Sequence, residues 1–206
     1  MEDLKAYLVK ISPLTQEDWN LTLQSFKEEK YKKGDYFIKE GGYSNKVSFV
    51  SKGLFKLYYL VEGQKKIMLF FAEGQFLTDY FGYLTQTPSI RPIEALEDSV
   101  VYTITRDKLN HLIEASQTWS KIARIMAERA YIIAVQRANR LLHDDFDTRF
   151  ITFMAEYPSL LQRVPQYMLA SYLDMTPETL SRVKKRTLKN NPSLKSIHEG
   201  IDPQLF

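Results

Sequence analysis

Two periodicities divide the chain. Over residues 2–11 and 15–28, apolar side chains recur every three or four positions, which predicts two short helices separated by Ser12-Pro13. From residue 29 to residue 106 the pattern changes to short runs rich in aromatic and β-branched residues, with glycine or polar turns between them. This second pattern predicts one all-β domain, a small antiparallel sandwich or barrel.

Helical spacing returns after Arg106. It predicts a short helix over residues 108–114, a long helix over residues 118–142 and another over residues 146–156. The long helix is apolar on two sides, so both sides need a cover. We expect the β-domain to cover one side and the same helix of a second subunit to cover the other, unless one chain buries both. The residues assigned to dimerisation on this helix are Ile122, Met126 and Ile133.

Residues 166–189 carry the clearest local signals. Asp174 tolerates the left-handed conformation, which predicts a sharp turn there. Thr176 is a good N-cap and Pro177 suits the first helical position, so a new helix should begin at this point. Apolar and small residues at helical spacing mark one face of the helix on each side of this turn: Leu169, Ala170 and Leu173 before it, and Leu180, Val183 and Leu188 after it.

The second of these helices should turn a basic face outward. Two interpretations are open and compatible. In one, the segment is an ordinary amphipathic hairpin, and Glu178 and Arg182 form a surface ion pair at i and i+4. In the other, the helix reads DNA, with Arg182 donating to guanine and Glu178 accepting from cytosine. The outward charges are Glu178, Arg182, Lys184, Lys185, Arg186 and Lys189.

Composition limits the classes of protein. A chain of 206 residues, 44% hydrophobic and 26% charged, predicts a globular protein of one or two domains. The absence of cysteine excludes disulfides, iron–sulfur clusters and cysteine-based zinc sites. The first ten residues lack the features of a secretory leader, and no apolar run could span a bilayer, so we expect a cytoplasmic protein without a membrane partner. Residues 1–115 carry 15 Lys/Arg against 16 Asp/Glu, whereas residues 116–206 carry 13 against 9, which places the excess cation beside the basic helix.

The order of these segments resembles the CRP/FNR family of bacterial transcriptional regulators. The similarity is carried by KKGDYFIKEG, VSFVSKGLFKLYY, FAEGQFLTDYFGYL, EALEDSVVYTI and LASYLDMTPETLSRVKK. It implies an α+β fold in which a β-roll sensor (1–115), a connecting and dimerising helix (116–142) and a winged-helix-like helix-turn-helix domain (143–206) follow one another. The residues after Lys189 could hold a stub of β-wing around residues 194–197.

The resemblance implies roles for the second helix of residues 166–189. Family members read bases and phosphates in the major groove with an Arg-Glu-Thr-x-x-Arg run, which here is Pro177 to Arg182. Glu178 and Arg182 are retained as base readers, whereas Pro177 removes one base-reading arginine. Two copies of the helix in a homodimer would read a pseudo-palindrome in double-stranded DNA, and RNA polymerase is an implied further partner. The implied phosphate contacts are Thr179, Ser181, Lys184, Lys185 and Arg186.

The same resemblance points to a degenerate effector pocket. Family members that bind a cyclic nucleotide hold its phosphate with an arginine and a Ser/Thr hydroxyl, but those two positions here are Ser89 and Pro92. Asp79 could still hold a hydroxyl, and Arg91 could replace the arginine by a shift of two residues. We expect neither cyclic-nucleotide control nor another cofactor, since the β-domain also lacks the histidine of a haem sensor. The pocket positions are Thr78, Asp79, Ser89, Arg91 and Pro92.

The signal itself is unidentified from sequence. A ligand could contact the aromatic residues Phe70, Phe71, Phe76 and Tyr80, which also suit a plain core; a protein contact or no signal are the other options. The predicted function is a dimeric, sequence-specific DNA-binding transcriptional regulator. The alternative is a cyclic-nucleotide-binding-type module that regulates a partner protein through its C-terminal helices. A metal enzyme of the small β-barrel class is not expected, because residues 29–106 contain no histidine ligand.

Overall fold

The computed structural model of the protein describes residues 1–190. These residues form two units. The first comprises Met1–Gln64 and Met68–Ile132, and the second comprises Lys65–Ile67 together with the chain from Ile133 onward. The division between them falls inside one long helix.

Helices flank the β-strands on both sides along the sequence. The helices up to residue 143 are α1 (Glu2–Ile11), α2 (Gln16–Ser25), α3 (Tyr80–Thr85), α4 (Arg106–Ala115) and α5 (Gln117–His143). The strands are β1 (Lys27–Tyr31), β2 (Tyr36–Ile38), β3 (Lys46–Lys52), β4 (Phe55–Val61), β5 (Gln64–Phe71), β6 (Phe76–Leu77), β7 (Ile93–Ala95) and β8 (Ser99–Thr105). The predicted helices over residues 2–11, 108–114 and 118–142 are confirmed, and the β-segment begins at Lys27 rather than at residue 29.

Two four-stranded sheets make the β-domain. Their strand orders are β1-β8-β3-β6 and β2-β7-β4-β5. The pairs β1–β8, β3–β8 and β4–β7 are antiparallel, in register at Lys27↔Thr103, Phe49↔Tyr102 and Leu57↔Ile93. A cluster of buried side chains packs the domain interior, including Phe37, Val50, Phe55, Leu77 and Ile93. The antiparallel β-fold is therefore confirmed.

The short helix α3 interrupts the segment that the sequence pattern predicts as all-β. Six residues are too few for a 3.6-residue periodicity to be visible beside the flanking strands. Gly82 is needed in this helix, because a Cβ atom there would lie 2.5 Å from Asp79 Oδ2. The correction matters for the effector pocket, since Asp79 immediately precedes α3.

A second apolar cluster joins α1 and the start of α5 to the sheet that contains β3 and β8. It contains Leu4, Leu8, Phe49 and Trp119, and Ile122 within it is only 1% exposed. Met126 packs against the same cluster. Ile122 is therefore a core residue of its own chain, which corrects its assignment to a dimer contact. Met126 is partly covered and Ile133 is 49% exposed, and for these two the dimer contact stays a prediction.

Asp18 fixes the start of α5 against α2. Its carboxylate accepts from the Ser116 hydroxyl at 2.5 Å, and the Ser116 Oγ in turn accepts from the Trp119 N–H at 3.1 Å. The Trp119 indole N–H donates to Thr22 Oγ1 at 3.0 Å. Burial raises the pKa of Asp18, but hydrogen bonds from Ser116 and Thr15 outweigh it, and the pKa is lowered from its ordinary value of 3.8.

Up to residue 190, the second unit is helical apart from its share of β5. It continues from α5 through α6 (Phe146–Glu156) and α7 (Leu160–Arg163) to α8 (Gln166–Tyr172) and α9 (Pro177–Asn190). Its fully buried side chains include Phe150, Leu160 and Leu180. The α6 helix is confirmed, α7 was not predicted, and the segment that could hold a β-wing lies outside the described residues. Over residues 1–190, no helix is both long and apolar enough to cross a membrane.

Replacing Asp18 by Asn keeps the shape of the side chain but removes its charge. Because the folded-state pKa is lowered, the stabilisation is present above the ordinary pKa and is lost as the pH falls through the folded-state value. We expect Asp18→Asn to lower the free energy of unfolding by about 1–3 kcal/mol near neutral pH. The difference from wild type should shrink below a pH of about 4.

Urea unfolding at neutral and acidic pH measures this difference. Glu17→Gln, on the exposed side of the same helix, is the matched control and should change stability little at either pH. An Asp18→Asn deficit of the same size at both pH values would contradict a role for the charge.

Candidate nucleic-acid interface and effector pocket

The helices α8 and α9 form the predicted pair on either side of a sharp turn. Leu169 and Ala170 are buried on α8, and Leu180 and Val183 are buried on α9, as the spacing predicts. Asp174 lies in the turn with φ +55°, the left-handed conformation expected from its residue type. The order helix, turn, helix is therefore the one that the sequence predicts.

Capping sets the first residue of α9. The Thr179 N–H donates to Thr176 Oγ1 at 3.2 Å, which satisfies one of the backbone donors at the helix start. Pro177 is the first residue of the helix, where no N–H is required. Both predictions for this boundary are confirmed, and they place Glu178 in the first turn.

Arg182 contacts a different residue from the one expected in a simple surface pair. Its Nη2 donates to Thr179 Oγ1 at 3.3 Å, and the structure gives no ion pair between Arg182 and Glu178 within residues 1–190. Hydrogen bonds from its own backbone N–H and from the Thr176 hydroxyl, together with nearby Arg182, lower the pKa of Glu178. Both side chains are exposed, so an ionised acceptor and a charged donor stand one helical turn apart on the outer face of α9.

The remaining cations of α9 are not equivalent. Lys185 and Lys189 are exposed and Lys184 is half-buried. Arg186 is held by Asp147 at the start of α6, with its Nε 3.2 Å from Asp147 Oδ1 and its Nη2 bonded to Oδ2. A carboxylate therefore already engages Arg186 in the free protein, and its assignment as a phosphate contact stays a prediction.

Thr187 also belongs to this contact. It is 3% exposed, lies one turn after Val183 on the buried face of α9, and its Oγ1 donates to Asp147 Oδ1 at 3.4 Å. Sequence reasoning missed the contact, because Asp147 is about forty residues away and gives no local signal. The other assigned phosphate contacts, Thr179 and Ser181, are half-buried and exposed respectively.

Two arginines of α5 hold the end of this helix against α6 and α8. The Arg137 guanidinium lies 4.2 Å from the centre of the Tyr172 ring and donates to the Tyr172 carbonyl at 3.0 Å. Burial raises the pKa of both Tyr157 and Tyr172, which keeps these phenols neutral. Arg140 makes a bidentate pair with Glu156 on α6. The Arg137 guanidinium is thus held by an aromatic ring on α8 rather than by a carboxylate.

In the β-domain, the predicted pocket positions Asp79, Ser89 and Arg91 come together. Asp79 is 1% exposed; its Oδ2 accepts from the Ser89 hydroxyl at 2.7 Å, and its Oδ1 lies 3.1 Å from Arg91 Nε. The Arg91 Nε–H is at charge-pair distance but makes no aligned hydrogen bond. The face of the guanidinium lies 4.5 Å from the centre of the Phe81 ring. Arg91 therefore points towards the pocket, but a carboxylate holds it.

The other two positions are structural. Thr78 Oγ1 is 3.0 Å from Ser44 Oγ and donates to the Lys46 carbonyl at 3.1 Å. Pro92 is buried, and its carbonyl accepts from the Tyr58 N–H. Of the aromatic residues considered for a ligand, Phe71 belongs to the interior cluster and Phe76 packs on the outer one. These residues are therefore core in the structure.

A cyclic nucleotide, the ligand implied by the fold, does not fit these residues. Its phosphate needs a cation, and the nearest candidate, Arg91, is neutralised by Asp79. Displacing a buried partner leaves an uncompensated charge, at a cost of about 3–5 kcal/mol. The carboxylate of Asp79 would also repel an incoming phosphate.

Comparisons with known proteins agree with this architecture. Residues 28–116 match the cyclic nucleotide-binding domain family. No curated protein sequence is significantly similar to this chain. FixK2 from Bradyrhizobium japonicum superposes with a TM-score of 0.71 at 18% identity, covering 86% of this chain and 99% of its own.

Two further solved structures are similar. A transcriptional regulator of the CRP/FNR family from Eubacterium rectale gives a TM-score of 0.64 at 14% identity, covering 91% of this chain and 96% of its own. CLP, a c-di-GMP responsive global regulator from Xanthomonas campestris, gives 0.63 at 14% identity, covering 86% and 93%. At these identities the likeness concerns the fold. Residues 28–116 thus match the cyclic nucleotide-binding domain family, and the chain has a fold similar to that of the CRP/FNR regulators.

Proposed function

We propose that the protein is a sequence-specific DNA-binding transcriptional regulator that acts as a homodimer on a pseudo-palindromic site and is not controlled by cyclic AMP. The observation that carries the proposal is the outer face of α9. Glu178, Arg182 and Lys185 are exposed on this face, and the helix begins directly after a sharp turn with Thr176 as its N-cap. The regulators among the structural neighbours support the same class of function.

Glu178 and Arg182 are the proposed base readers. Arginine forms a bidentate pair with guanine O6 and N7, and an ionised glutamate accepts from the cytosine amino group. The lowered pKa of Glu178 keeps it in the accepting form at neutral pH. Thr179 accepts from Arg182 in the free protein, so the guanidinium begins from one defined position rather than from many rotamers.

Thr179, Ser181, Lys184 and Lys185 are the proposed phosphate contacts. Exposed Lys185 needs no rearrangement for this role. Arg186 would first have to leave Asp147, and we therefore expect it to contribute less to phosphate binding than Lys185 does. RNA polymerase is a further proposed partner, supported by the family resemblance alone.

Independence from cyclic AMP is supported by the Asp79–Arg91 pair, which leaves the pocket without a free counter-charge for a phosphate.

The match of residues 28–116 to the cyclic nucleotide-binding domain family favours one second candidate, a module that regulates a partner protein. The two functions differ in one respect that can be measured directly: only the DNA-binding regulator selects particular sequences from a random pool of duplexes.

A homodimer is supported by the middle of α5. Ile132 and Ile133 are each 49% exposed and Leu142 is 77% exposed, which is unusual for large apolar residues of a helix. Two interleaved sets of positions, each spaced by seven residues, make a seam of the kind that joins two helices, with β-branched Ile125 and Ile132 in one set. The seam comprises Ile125, Glu128, Ile132, Val135, Asn139 and Leu142.

Arg182→Ala should weaken binding to the preferred duplex by about 1–3 kcal/mol and relax one base position in each half-site, because a bidentate base contact is lost. Selection from random duplexes, followed by binding titration, measures both effects. An Arg182→Ala protein that selects the same sequence as wild type would sink the assignment.

Lys185→Ala is the matched control on the same helix face. It should weaken binding to all duplexes alike and reduce the slope of log affinity against log salt by about one, because it removes a phosphate contact and no base contact. A changed base preference in Lys185→Ala would show that the two roles are wrongly divided.

Ile132→Glu should produce a folded monomer, because the change puts a charge into the proposed seam at a position that is half-exposed in the single chain. Light scattering after size exclusion gives the mass, and circular dichroism checks the fold. Ala134→Glu, an exposed position on the opposite side of α5, should remain dimeric. Wild-type protein that is monomeric at micromolar concentration, or an Ile132→Glu dimer as stable as wild type, would contradict the seam.

A further inference from the structure

The effector pocket contains its own anion. The Asp79 carboxylate is 1% exposed and sits between the Ser89 hydroxyl and the Arg91 guanidinium. The Ser89 hydroxyl contacts the backbone of Arg91 as well, since the Arg91 N–H lies 3.0 Å from Ser89 Oγ. Ser89 therefore holds the acid and the segment that carries the base in one arrangement.

The Asp79 carboxylate and the Arg91 guanidinium each have close neighbours. Gly82 lacks the Cβ that would lie 2.5 Å from Asp79 Oδ2. The Arg91 guanidinium stacks at 4.5 Å on Phe81, and its Nη1 lies 3.5 Å from the Tyr59 hydroxyl. Arg91 is thus held on its face by an aromatic ring and at its edge by a negative charge.

The two charges depend on each other. The Arg91 side chain is 12% exposed and that of Asp79 is 2% exposed, so water screens neither of them well. A free anion approaching Arg91 would compete with a carboxylate that belongs to the same chain and is already in place. It would also leave Asp79 buried without a counter-charge.

We propose that Asp79 is a built-in substitute for a ligand anion, so that the β-domain is held in one charge-balanced state without an effector, and that neutralising Asp79 alone opens a phosphate-binding site at Arg91. The first part rests on the proposed function, since it explains how a regulator of this fold would work without a cyclic nucleotide. The second part concerns ligand binding alone.

Asp79→Asn is the deciding variant, because an amide can keep the hydrogen bond from Ser89 while the negative charge is removed. We expect wild type to show no saturable binding of inorganic phosphate or cyclic AMP in calorimetric titration at constant ionic strength. Asp79→Asn should bind phosphate at least about tenfold more tightly than wild type, since a buried cation is left without its partner. The double variant Asp79→Asn/Arg91→Gln should lose that binding.

Three results would overturn the proposal: wild type that binds either ligand saturably, Asp79→Asn that binds no more tightly than wild type, and a double variant that binds as Asp79→Asn does. If the Asp79→Asn variant is only marginally stable, thermal unfolding provides an independent measurement. Adding Arg91→Gln should then recover part of the lost melting temperature, and phosphate should raise the melting temperature of Asp79→Asn but not of the double variant. A double variant that is destabilised by the sum of the two single changes contradicts the pairing.

Sequence selection with wild-type protein in the absence of any nucleotide separates this proposal from the proposed function. Selection without a nucleotide, together with phosphate binding by Asp79→Asn, supports both. Failure of wild type to select DNA would contradict the regulator while the phosphate result still decides the pocket. Selection that requires an added cyclic nucleotide would overturn the built-in anion directly.

Discussion

One arginine side chain ties together the ends of the helices that lead to α9. The Arg149 guanidinium donates to the carbonyls of Leu141 and Leu173 at 2.9 and 3.1 Å, and its Nε donates to the Asp144 carbonyl at 3.1 Å. Leu141 and Asp144 lie where α5 ends, and Leu173 is the C-cap residue that follows α8. Helix ends leave carbonyls without intrahelical partners, and a guanidinium has enough donors to serve several of them.

This constraint acts together with the cap that begins the basic helix. Because Leu173 is held by Arg149 and α9 begins at Pro177, the chain has only Asp174, Met175 and Thr176 in which to turn between the two helices. A left-handed residue is required in so short a connection, and Asp174 supplies it. The positions of Glu178 and Arg182 on the outer face of α9 thus follow from a chain of local restraints that starts at Arg149.

Sequence reasoning recovers the local parts of this arrangement and misses the distant ones. Asp174, Thr176 and Pro177 act on their immediate neighbours, so residue type and order were sufficient to predict the turn and the helix start. Nothing local in the sequence marks Arg149, because the carbonyls that it serves lie at the ends of other helices. The same reason hid the contact between Arg186 and Asp147, which are distant in sequence.

The β-domain and α5 show the same limit. Alternation predicted the strands, but nothing in residues 80–85 distinguished a six-residue helix from a loop. Apolar spacing puts Ile122 and Ile133 on the same stripe of α5, yet it could not tell that Ile122 is buried in its own chain while Ile133, three turns further along the helix, is half-exposed. Periodicity fixes which residues share a face of a helix, and tertiary packing decides how much of that face is covered.

Two arginine–aspartate pairs illustrate how burial changes the meaning of the same contact. Arg186 is 59% exposed in its pair with Asp147, and a solvated pair of this kind contributes only about 0–1 kcal/mol. A DNA phosphate could replace that carboxylate at little cost, because water would solvate the released Asp147. Arg91 and Asp79 are shielded, so neither partner can be released into water. The exposed pair is therefore compatible with exchange for an external anion, whereas the buried pair makes the carboxylate a permanent part of the pocket.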